Sequence, residues 1–135
     1  LEVARFVGAP RINVVPGEIR ANGEIHCLAQ RIANTAVNSG PCHVAFRPQA
    51  VTLAKAHGLT VRGVVGHVEY AGTELMATLT LPSQGEACIV CLPAGTAARA
   101  GAEFEVTVPW EALHVFDAGG QRLSIDRCDA LVRVA

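Results

Sequence analysis

Apolar and polar residues alternate most regularly between residues 62 and 82, and this stretch predicts a β-hairpin. Its second half alternates Leu75, Ala77, Leu79 and Leu81 with polar residues or Met. β-Forming residues fill its first half: Val64, Val65, Val68 and Tyr70. A period of two places every second side chain on one face of a strand. Gly72 lies between the halves, where glycine can take the positive φ of a tight turn. The leucines therefore form a core face and the threonines face away.

Short strand patterns recur along the rest of the chain, separated by Gly, Pro, Asn or Ser. The predicted strands cover residues 12–15, 24–29, 44–46, 59–65, 68–70, 75–81, 87–92, 104–108 and 131–134. No long helical segment separates them, which favours an all-β barrel or sandwich over an α/β sheet. One segment departs from this pattern. Residues 48–57 begin with Pro48 and carry Ala and Leu at helical spacing before Gly58, so they predict one short helix.

The first eight residues have the pattern of a helix end. Apolar residues at positions 3, 6 and 7 precede Gly8 and Pro10, a sequence typical of a helix stop. A helix this short is marginal by itself, so we expect its packing partner to lie upstream. The chain then divides into residues 1–8, which end that helix, and residues 9–135, which form one domain.

Composition excludes several classes of protein. With 135 residues, half of them hydrophobic, the chain can bury the core of one domain. Eleven basic and twelve acidic side chains give a net charge of -1 without a basic cluster, so we expect no nucleic-acid partner. The apolar runs are too short to cross a bilayer, and no signal-peptide pattern is present. These features predict a water-soluble chain.

Five cysteines lie at positions 27, 42, 88, 91 and 128. Cys88 and Cys91 form a C-x-x-C motif, but strand alternation would send their sulfur atoms to opposite faces. No second pair stands at the spacing of a zinc site. We therefore predict buried free thiols and no metal site. The odd number, without an export signal, indicates a reducing compartment.

Sequence motifs of catalysis are missing, and we predict no catalytic, cofactor-binding or metal-binding residue. The chain has no nucleophile elbow, no zinc-protease helix motif and no phosphate-binding loop. Glu69 and Glu74 flank the hairpin turn and give the one hint of paired carboxylates for acid–base chemistry. A solvated hairpin end explains this pair better than an enzyme does, because acidic residues are mostly exposed.

Four stretches, in order along the chain, resemble the motifs of one family. They are residues 6–13 (FVGAPRIN), 46–49 (FRPQ), 68–74 (VEYAGTE) and 113–123 (LHVFDAGGQRL). They are similar to the F-[IV]-G-x-P-x-[MI]-N, G-[IVF]-R-P-E, V-E-x-x-G-x-E and H-[LV]-F-D-x-x-[GT]-x-R-L segments of the ATP-binding subunits of sugar-type ABC importers. The resemblance is to the C-terminal domain of subunits of the maltose and glycerol-3-phosphate type. It implies a small OB-like β-barrel, the TOBE fold.

The resemblance singles out seven positions with structural or regulatory roles: Arg47, Pro48, Glu69, Gly72, His114, Phe116 and Asp117. Gln49 stands where the family usually has Glu, so a role that needs a carboxylate there is lost. For Arg47, hydrogen bonds to loop carbonyls are favoured over contact with a ligand. His114 and Asp117 are expected to cap the turn before Gly119, since Asp readily accepts hydrogen bonds from turn amides.

The function implied by the resemblance is that of a non-catalytic regulatory and dimerisation domain. ATP and Mg are then expected only in the missing upstream ATPase domain. The implied partners are a second copy, that ATPase domain, the membrane permease subunits, and a regulatory protein or small ligand, on the cytoplasmic face of the membrane. The alternative is a free-standing small-anion barrel of the molybdate-binding type, which shares the TOBE architecture. Tandem copies of one motif would favour that alternative, and the sequence shows no convincing internal repeat.

Overall fold

The strands of the protein form two antiparallel sheets. The computed structural model describes residues 12–54, 57–82 and 86–127. Its strands are β1 (Asn13–Ile19), β2 (Glu24–Cys27), β3 (Gln30–Asn34), β4 (Gly40–Phe46), β5 (Gly58–Ala71), β6 (Glu74–Leu81), β7 (Glu86–Pro93), β8 (Glu103–Pro109), β9 (His114–Asp117) and β10 (Asp126–Arg127). Two 3-10 turns cover Pro48–Ala50 and Trp110–Ala112.

The first sheet has six strands in the order β10-β3-β2-β1-β4-β9, and the second has four in the order β7-β6-β5-β8. Every pair of neighbouring strands is antiparallel. The predicted all-β class is therefore confirmed. The described residues contain no helix that could serve as a transmembrane span.

The predicted hairpin is β5–β6, and its register is confirmed. Ala71 pairs with Glu74 across a two-residue turn, and Gly72 has a φ of 67°. Leu75, Leu79 and Leu81 are each at most 2% exposed. Their shared burial follows from the period of two, which places them on the face that meets the other sheet.

Residues 59–65 and 68–70 are not two strands, as the sequence predicted, but parts of the single strand β5. Gly66 is the extra residue of a β-bulge, because Val65 pairs with Leu79 and His67 pairs with Thr78. A glycine can signal either a strand end or a bulge, and here it marks a bulge. The first half of β5 pairs with β8 and the second half with β6.

The prediction of one strand over residues 24–29 is wrong beyond Cys27. The chain turns there through Leu28 and Ala29, whose φ angles are 52° and 62°, and returns as β3. Such a left-handed turn normally uses Gly or Asn, so these two residues carry no turn signal. The sequence pattern also missed β9 and β10. The predicted strand at residues 131–134 and the helix end at residues 1–8 lie outside the described residues.

The predicted helix over residues 48–57 is wrong as well, although residues 55 and 56 lie outside the description. Only the 3-10 turn Pro48–Ala50 forms. Beyond it, Thr52 exchanges both backbone hydrogen bonds with Thr107 of β8, at N···O distances of 2.8 and 3.0 Å. Extended pairing with a strand replaces a helix that would be too short to be stable alone.

Side chains of both sheets meet in one core. Phe46, Ile25 and Val15 come from the six-stranded sheet, and Leu59 and Val90 come from the four-stranded sheet; all five are fully buried. Burial of such side chains from water supplies the main stabilising free energy of a small domain.

We expect Leu79→Ala to lower the free energy of unfolding by about 2–5 kcal/mol and Thr78→Ala to change it by less than about 1 kcal/mol. Leu79 is fully buried, so its truncation loses burial and leaves a cavity, whereas Thr78 points to the opposite face. Urea unfolding followed by circular dichroism measures both variants. Equal midpoints would contradict the assigned register.

Candidate functional site

The side chain of Asn13 joins the two sheets. Asn13 Nδ2 donates to the carbonyl oxygen of Ile89 at 2.8 Å, and Asn13 Oδ1 accepts from the amide of Ile89 at 2.8 Å. The amide thus bonds to β7 as a neighbouring strand would. Asn13 is only 6% exposed, so both of its bonds lie where an unpaired polar group would be costly.

Gln30 forms a second link of the same kind. Its Oε1 accepts from the amide of Thr60 at 2.9 Å, and its Nε2 donates to the carbonyl oxygen of Thr60 at 2.8 Å. β8 pairs with Thr60 on one side of β5. On the other side, β6 begins to pair with β5 only at Val64, so the backbone of Thr60 has no partner in β6. Gln30 supplies the missing donor and acceptor. We call the Asn13–Ile89 and Gln30–Thr60 contacts the two amide links.

The turn before Gln30 is strained. Leu28 and Ala29 both occupy the left-handed region, which costs a residue with a Cβ atom about 1 kcal/mol. Gln30 Nε2 also donates to the carbonyl oxygen of Leu28 at 3.3 Å. The Gln30 side chain therefore bonds to the turn through Leu28 and to β5 through Thr60. Strain is tolerated here because the surrounding hydrogen bonds fix the geometry.

Glu69 and Gly72 lie at the far end of the hairpin in the four-stranded sheet. Glu69 is exposed, and its Oε2 lies 3.4 Å from His67 Nε2. Gly72 occupies the turn with a positive φ, and a Cβ atom there would have open space around it. The cost of replacing Gly72 would therefore come from the backbone angle and not from a clash.

The structure gives Glu69 and Glu74 different partners. Glu69 contacts His67, whereas the Glu74 carboxylate lies near the Cys91 thiol. Burial, followed by this carboxylate, raises the pKa of the Cys91 thiol. A pair of carboxylates for acid–base catalysis should share one site. The contacts instead agree with the solvated hairpin end favoured by the sequence.

His114, Phe116 and Asp117 belong to β9, at the edge of the six-stranded sheet. Asp117 Oδ1 accepts from the amide of Gln121 at 2.9 Å, a bond to a turn amide of the kind expected for this residue. The guanidinium of Arg122 donates to His114 Nδ1, so His114 links the two arms of the loop. Phe116 is 2% exposed and pairs with His43 of β4.

Arg47 and Pro48 connect β4 to the first 3-10 turn. Arg47 is exposed and its carbonyl oxygen accepts from the amide of Ala50 at 3.0 Å, while Pro48 is buried. His114 pairs with Ala45, two residues before Arg47. The motifs around Arg47 and His114 are thus neighbours in one sheet, and Glu69 and Gly72 lie in the other sheet. The seven motif residues do not form a single site.

Three thiols are buried in the core around Cys27: its own and those of Cys42 and Cys88. Cys27 and Cys42 pair with Gly17 from its two sides, and a Cβ atom on Gly17 would lie 3.0 Å from Cys42 Sγ. Burial, with Cys42 and Cys88 nearby, raises the pKa of Cys27 to about 12, and burial raises that of Cys42 to about 11. Such thiols stay protonated and unreactive at neutral pH.

The four described cysteines, Cys27, Cys42, Cys88 and Cys91, are buried and form no disulfide, as the sequence predicted. Cys128 lies outside the described residues. Within residues 12–54, 57–82 and 86–127, no group of three or more His, Cys, Asp or Glu side chains could hold a metal ion.

Two shallow depressions open on the surface of the six-stranded sheet. One, of about 250 Å³, is lined by Pro16, Gly17, Glu18, Arg20 and residues 26–29. The other, of about 320 Å³, is lined by Ile19, residues 37–41 and residues 117–119. Each contains a carboxylate, Glu18 in the first and Asp117 in the second. Beside the first, the hydrogen bond from His26 lowers the pKa of the Glu24 carboxyl.

Sequence reasoning did not assign a role to Asn13 or to Gln30. Asn13 is the last residue of the motif at residues 6–13, and its place in that motif is the one feature of the sequence that could have indicated a role for it. Gln30 follows a turn that lacks turn residues, so no local pattern marks it. Both roles depend on which strands meet in three dimensions, and a period along the chain does not reveal that.

We expect Asn13→Asp to lower the free energy of unfolding by about 3 kcal/mol at pH 7, because the carboxylate loses the donor and faces the carbonyl oxygen of Ile89. Burial and this oxygen should raise the pKa of the new carboxyl. The loss in the free energy of unfolding should therefore be full above that pKa. It should shrink as the pH falls below it, because the protonated carboxyl can donate a hydrogen bond to the carbonyl oxygen of Ile89. Urea unfolding at pH 7 and pH 4.5 tests this.

Asn13→Leu is the matched control, since Leu has a similar volume and no titrating group. Its deficit relative to the unsubstituted chain should not change with pH. If both variants followed the same pH profile, the hydrogen-bonding role of Asn13 would be refuted.

Comparison with known proteins places the chain in a family. The family model of the TOBE domain matches residues 44–116, which is more than half of the chain. The sn-glycerol-3-phosphate import ATP-binding protein UgpC of Chromohalobacter salexigens is 29% identical over 90% of this chain and 34% of its own length. The alpha-glucoside transport ATP-binding protein AglK of Rhizobium meliloti is 26% identical over 90% of this chain and 36% of its own.

A second UgpC, from Rhodopseudomonas palustris, is 30% identical over 89% of this chain and 36% of its own length. The chain thus spans about a third of the length of these relatives. Among solved structures, the molybdate-binding protein ModG matches with a TM-score of 0.57 and 9% identity, over 76% of this chain and 94% of ModG. That match supports the fold alone. The two sheets, the matched motifs and these comparisons show that the chain belongs to the TOBE domain family.

Proposed function

We propose that this chain is the regulatory and dimerisation domain of the ATP-binding subunit of an ABC importer for sugars or related solutes, and that it is not itself catalytic. One observation carries the proposal. Relatives that align over about nine tenths of this chain are named as import or transport ATP-binding proteins, and the alignment takes up about a third of each. A TOBE domain of this kind is then one part of a larger subunit.

The contacts of the polar residues support a role in interaction. Glu69 is paired with His67, Glu74 with Cys91, and Asp117 with a turn amide. Each of these three carboxylates thus has a local partner, and Asp117 lies in a different sheet from Glu69 and Glu74, so the three do not share one space. Catalysis would require such groups to converge on a reacting atom.

Within a transporter, the domain would act by pairing with its counterpart on the second ATP-binding subunit. The ATPase domains and the permease subunits would hold the two copies close together, which raises their effective concentration. The contact itself can then be weak. A regulatory protein or small ligand could shift the transport cycle if it bound one state of the pair more tightly than the other. A domain with this role would lie on the cytoplasmic face of the membrane.

The alternative function is that of a free-standing molybdate-type barrel, and it draws support only from the fold shared with ModG. An oxyanion needs hydrogen-bond donors and positive potential. Asp117 lines the second depression, where a carboxylate repels an anion, whereas Glu18 in the first is paired with Arg20 at 3.4 Å. The importer domain is therefore the better-supported function.

We expect no heat of binding when the chain is titrated with millimolar Mg-ATP or with molybdate in a calorimeter. We also expect sedimentation equilibrium to show monomer–dimer exchange with a dissociation constant in the micromolar range or weaker, as for a small interface. Saturable binding of Mg-ATP would contradict the non-catalytic role. Saturable binding of molybdate would favour the alternative.

A further inference from the structure

The second half of β5 is an open edge of the four-stranded sheet. Pairing between β5 and β8 ends where Val64 meets Glu103. Val65 then exchanges hydrogen bonds with the loop before β8, donating to Ala102 at 2.9 Å and accepting from Gly101 at 2.7 Å. Beyond this point, residues 67–71 pair with β6 on one side, and no described strand pairs with residues 66–71 on the other.

The hairpin turn determines which backbone groups face this edge. A two-residue turn joins residues that exchange both hydrogen bonds, so Ala71 bonds to Glu74 across the hairpin. Because the direction alternates along a strand, the backbone N–H and C=O groups of Glu69 and His67 point towards β6. The N–H and C=O groups of Val68 and Tyr70 point out of the sheet, where another strand could bond to them.

The side chains along this edge are exposed and varied. His67 and Glu69 have 69% and 67% exposed side chains. Tyr70, the only tyrosine of the chain, is 69% exposed. A Cβ atom on Gly66 would meet nothing nearer than the carbonyl oxygen of Thr78 at 3.9 Å, so the space over Gly66 is free for another side chain.

We infer that this edge, residues 66–70, is where a second copy of the chain adds its own residues 66–70 as an antiparallel strand about a two-fold axis at Val68. This rests on the proposed dimerisation and names its surface. In this register Val68 lies opposite Val68 of the second copy. His67 lies opposite Glu69 of the second copy, and Gly66 lies opposite its Tyr70.

Charge selects this register over its neighbour. An axis at Glu69 would also match the outward backbone groups, but it would place the two Glu69 carboxylates directly opposite each other. Like charges at directly opposed positions destabilise a pair of strands, whereas opposite charges stabilise it. With the axis at Val68, each Glu69 faces an imidazole, and this occurs twice because of the symmetry.

The Tyr70–Gly66 pair is also compatible with this register. Tyr70 of one copy can lie across Gly66 of the other, where no side chain competes for the space, and aromatic residues compensate for glycine in paired strands in this way. A segment that complements itself under a two-fold rotation is suited to an isologous dimer. The bulge at Gly66 limits the pairing to a few residues, so the dimer should be weak.

Sedimentation equilibrium on the 135-residue chain and three variants tests the inference. Val68→Pro removes an outward N–H, which an open edge tolerates in the monomer, and should raise the dimer dissociation constant at least about thirtyfold. His67→Glu sets carboxylate against carboxylate and should raise it about tenfold. Combining His67→Glu with Glu69→Lys replaces the two facing carboxylates by a carboxylate and an ammonium group, and should return it to within about threefold of the original value.

Ala21→Glu is the control for net charge. Ala21 is exposed in the turn between β1 and β2, so the change adds the same charge on the other sheet and away from the edge. It should leave the dissociation constant unchanged. Circular dichroism checks that every variant is folded. If Val68→Pro does not fold, His67→Glu and its combination with Glu69→Lys still test the edge contact.

The outcomes separate this inference from the proposed function. A chain that stays monomeric at millimolar concentration would overturn dimerisation and the edge contact together. A dimer whose dissociation constant is the same in the original chain, in His67→Glu and in Val68→Pro would overturn the edge contact alone. In that case the dimer would use another surface, and the proposed function would stand.

Discussion

Two side-chain amides complete the hydrogen bonding where the two sheets of this protein meet. The core is apolar and holds the sheets together without direction, because burial from water depends on area and not on alignment. Asn13 and Gln30 add direction, since each bonds to both the N–H and the C=O of one residue in the opposite sheet. They fix how one sheet is aligned with the other. Without them, polar backbone groups of Ile89 and Thr60 would lack these partners.

The second organising feature is the change of partner along β5. This strand pairs with β8 over its first half and with β6 over its second half, and the bulge at Gly66 lies near the change. Gln30 occupies the side left open in the first half. The corresponding open side of the second half carries exposed His67, Glu69 and Tyr70. One strand thus contributes both to the internal link and to the proposed external contact.

Sequence pattern predicted the parts of the fold that repeat with a fixed period. The alternation of Leu75, Leu79 and Leu81 identified the hairpin and its core face, and Gly72 identified its turn. The turn at Leu28 and Ala29 could not be predicted, because its φ angles are those of glycine while its residues are not. Residues 48–57 had helical spacing but too few residues for a stable helix, so pairing of Thr52 with β8 prevailed.

The candidate site was predicted as a set of positions and not as an arrangement. The family resemblance pointed to Glu69, Gly72 and the β9 residues, and the structure divides them between two sheets. Asn13 and Gln30 were not assigned, because their roles come from contacts between residues 76 and 30 positions apart in the chain. The edge at Val68 was likewise visible only once the partners of β5 were known.

Amide hydrogen exchange, followed residue by residue in dilute and concentrated solution, tests the amide links and the edge contact in one experiment. The amides of Ile89 and Thr60 donate to side chains of the same copy and should be protected at every concentration. The amides of Val68 and Tyr70 should exchange freely in dilute solution and become protected as the dimer forms. Exchange at Val68 that stays fast in a sample shown to be dimeric would mean that the two copies do not pair through this edge.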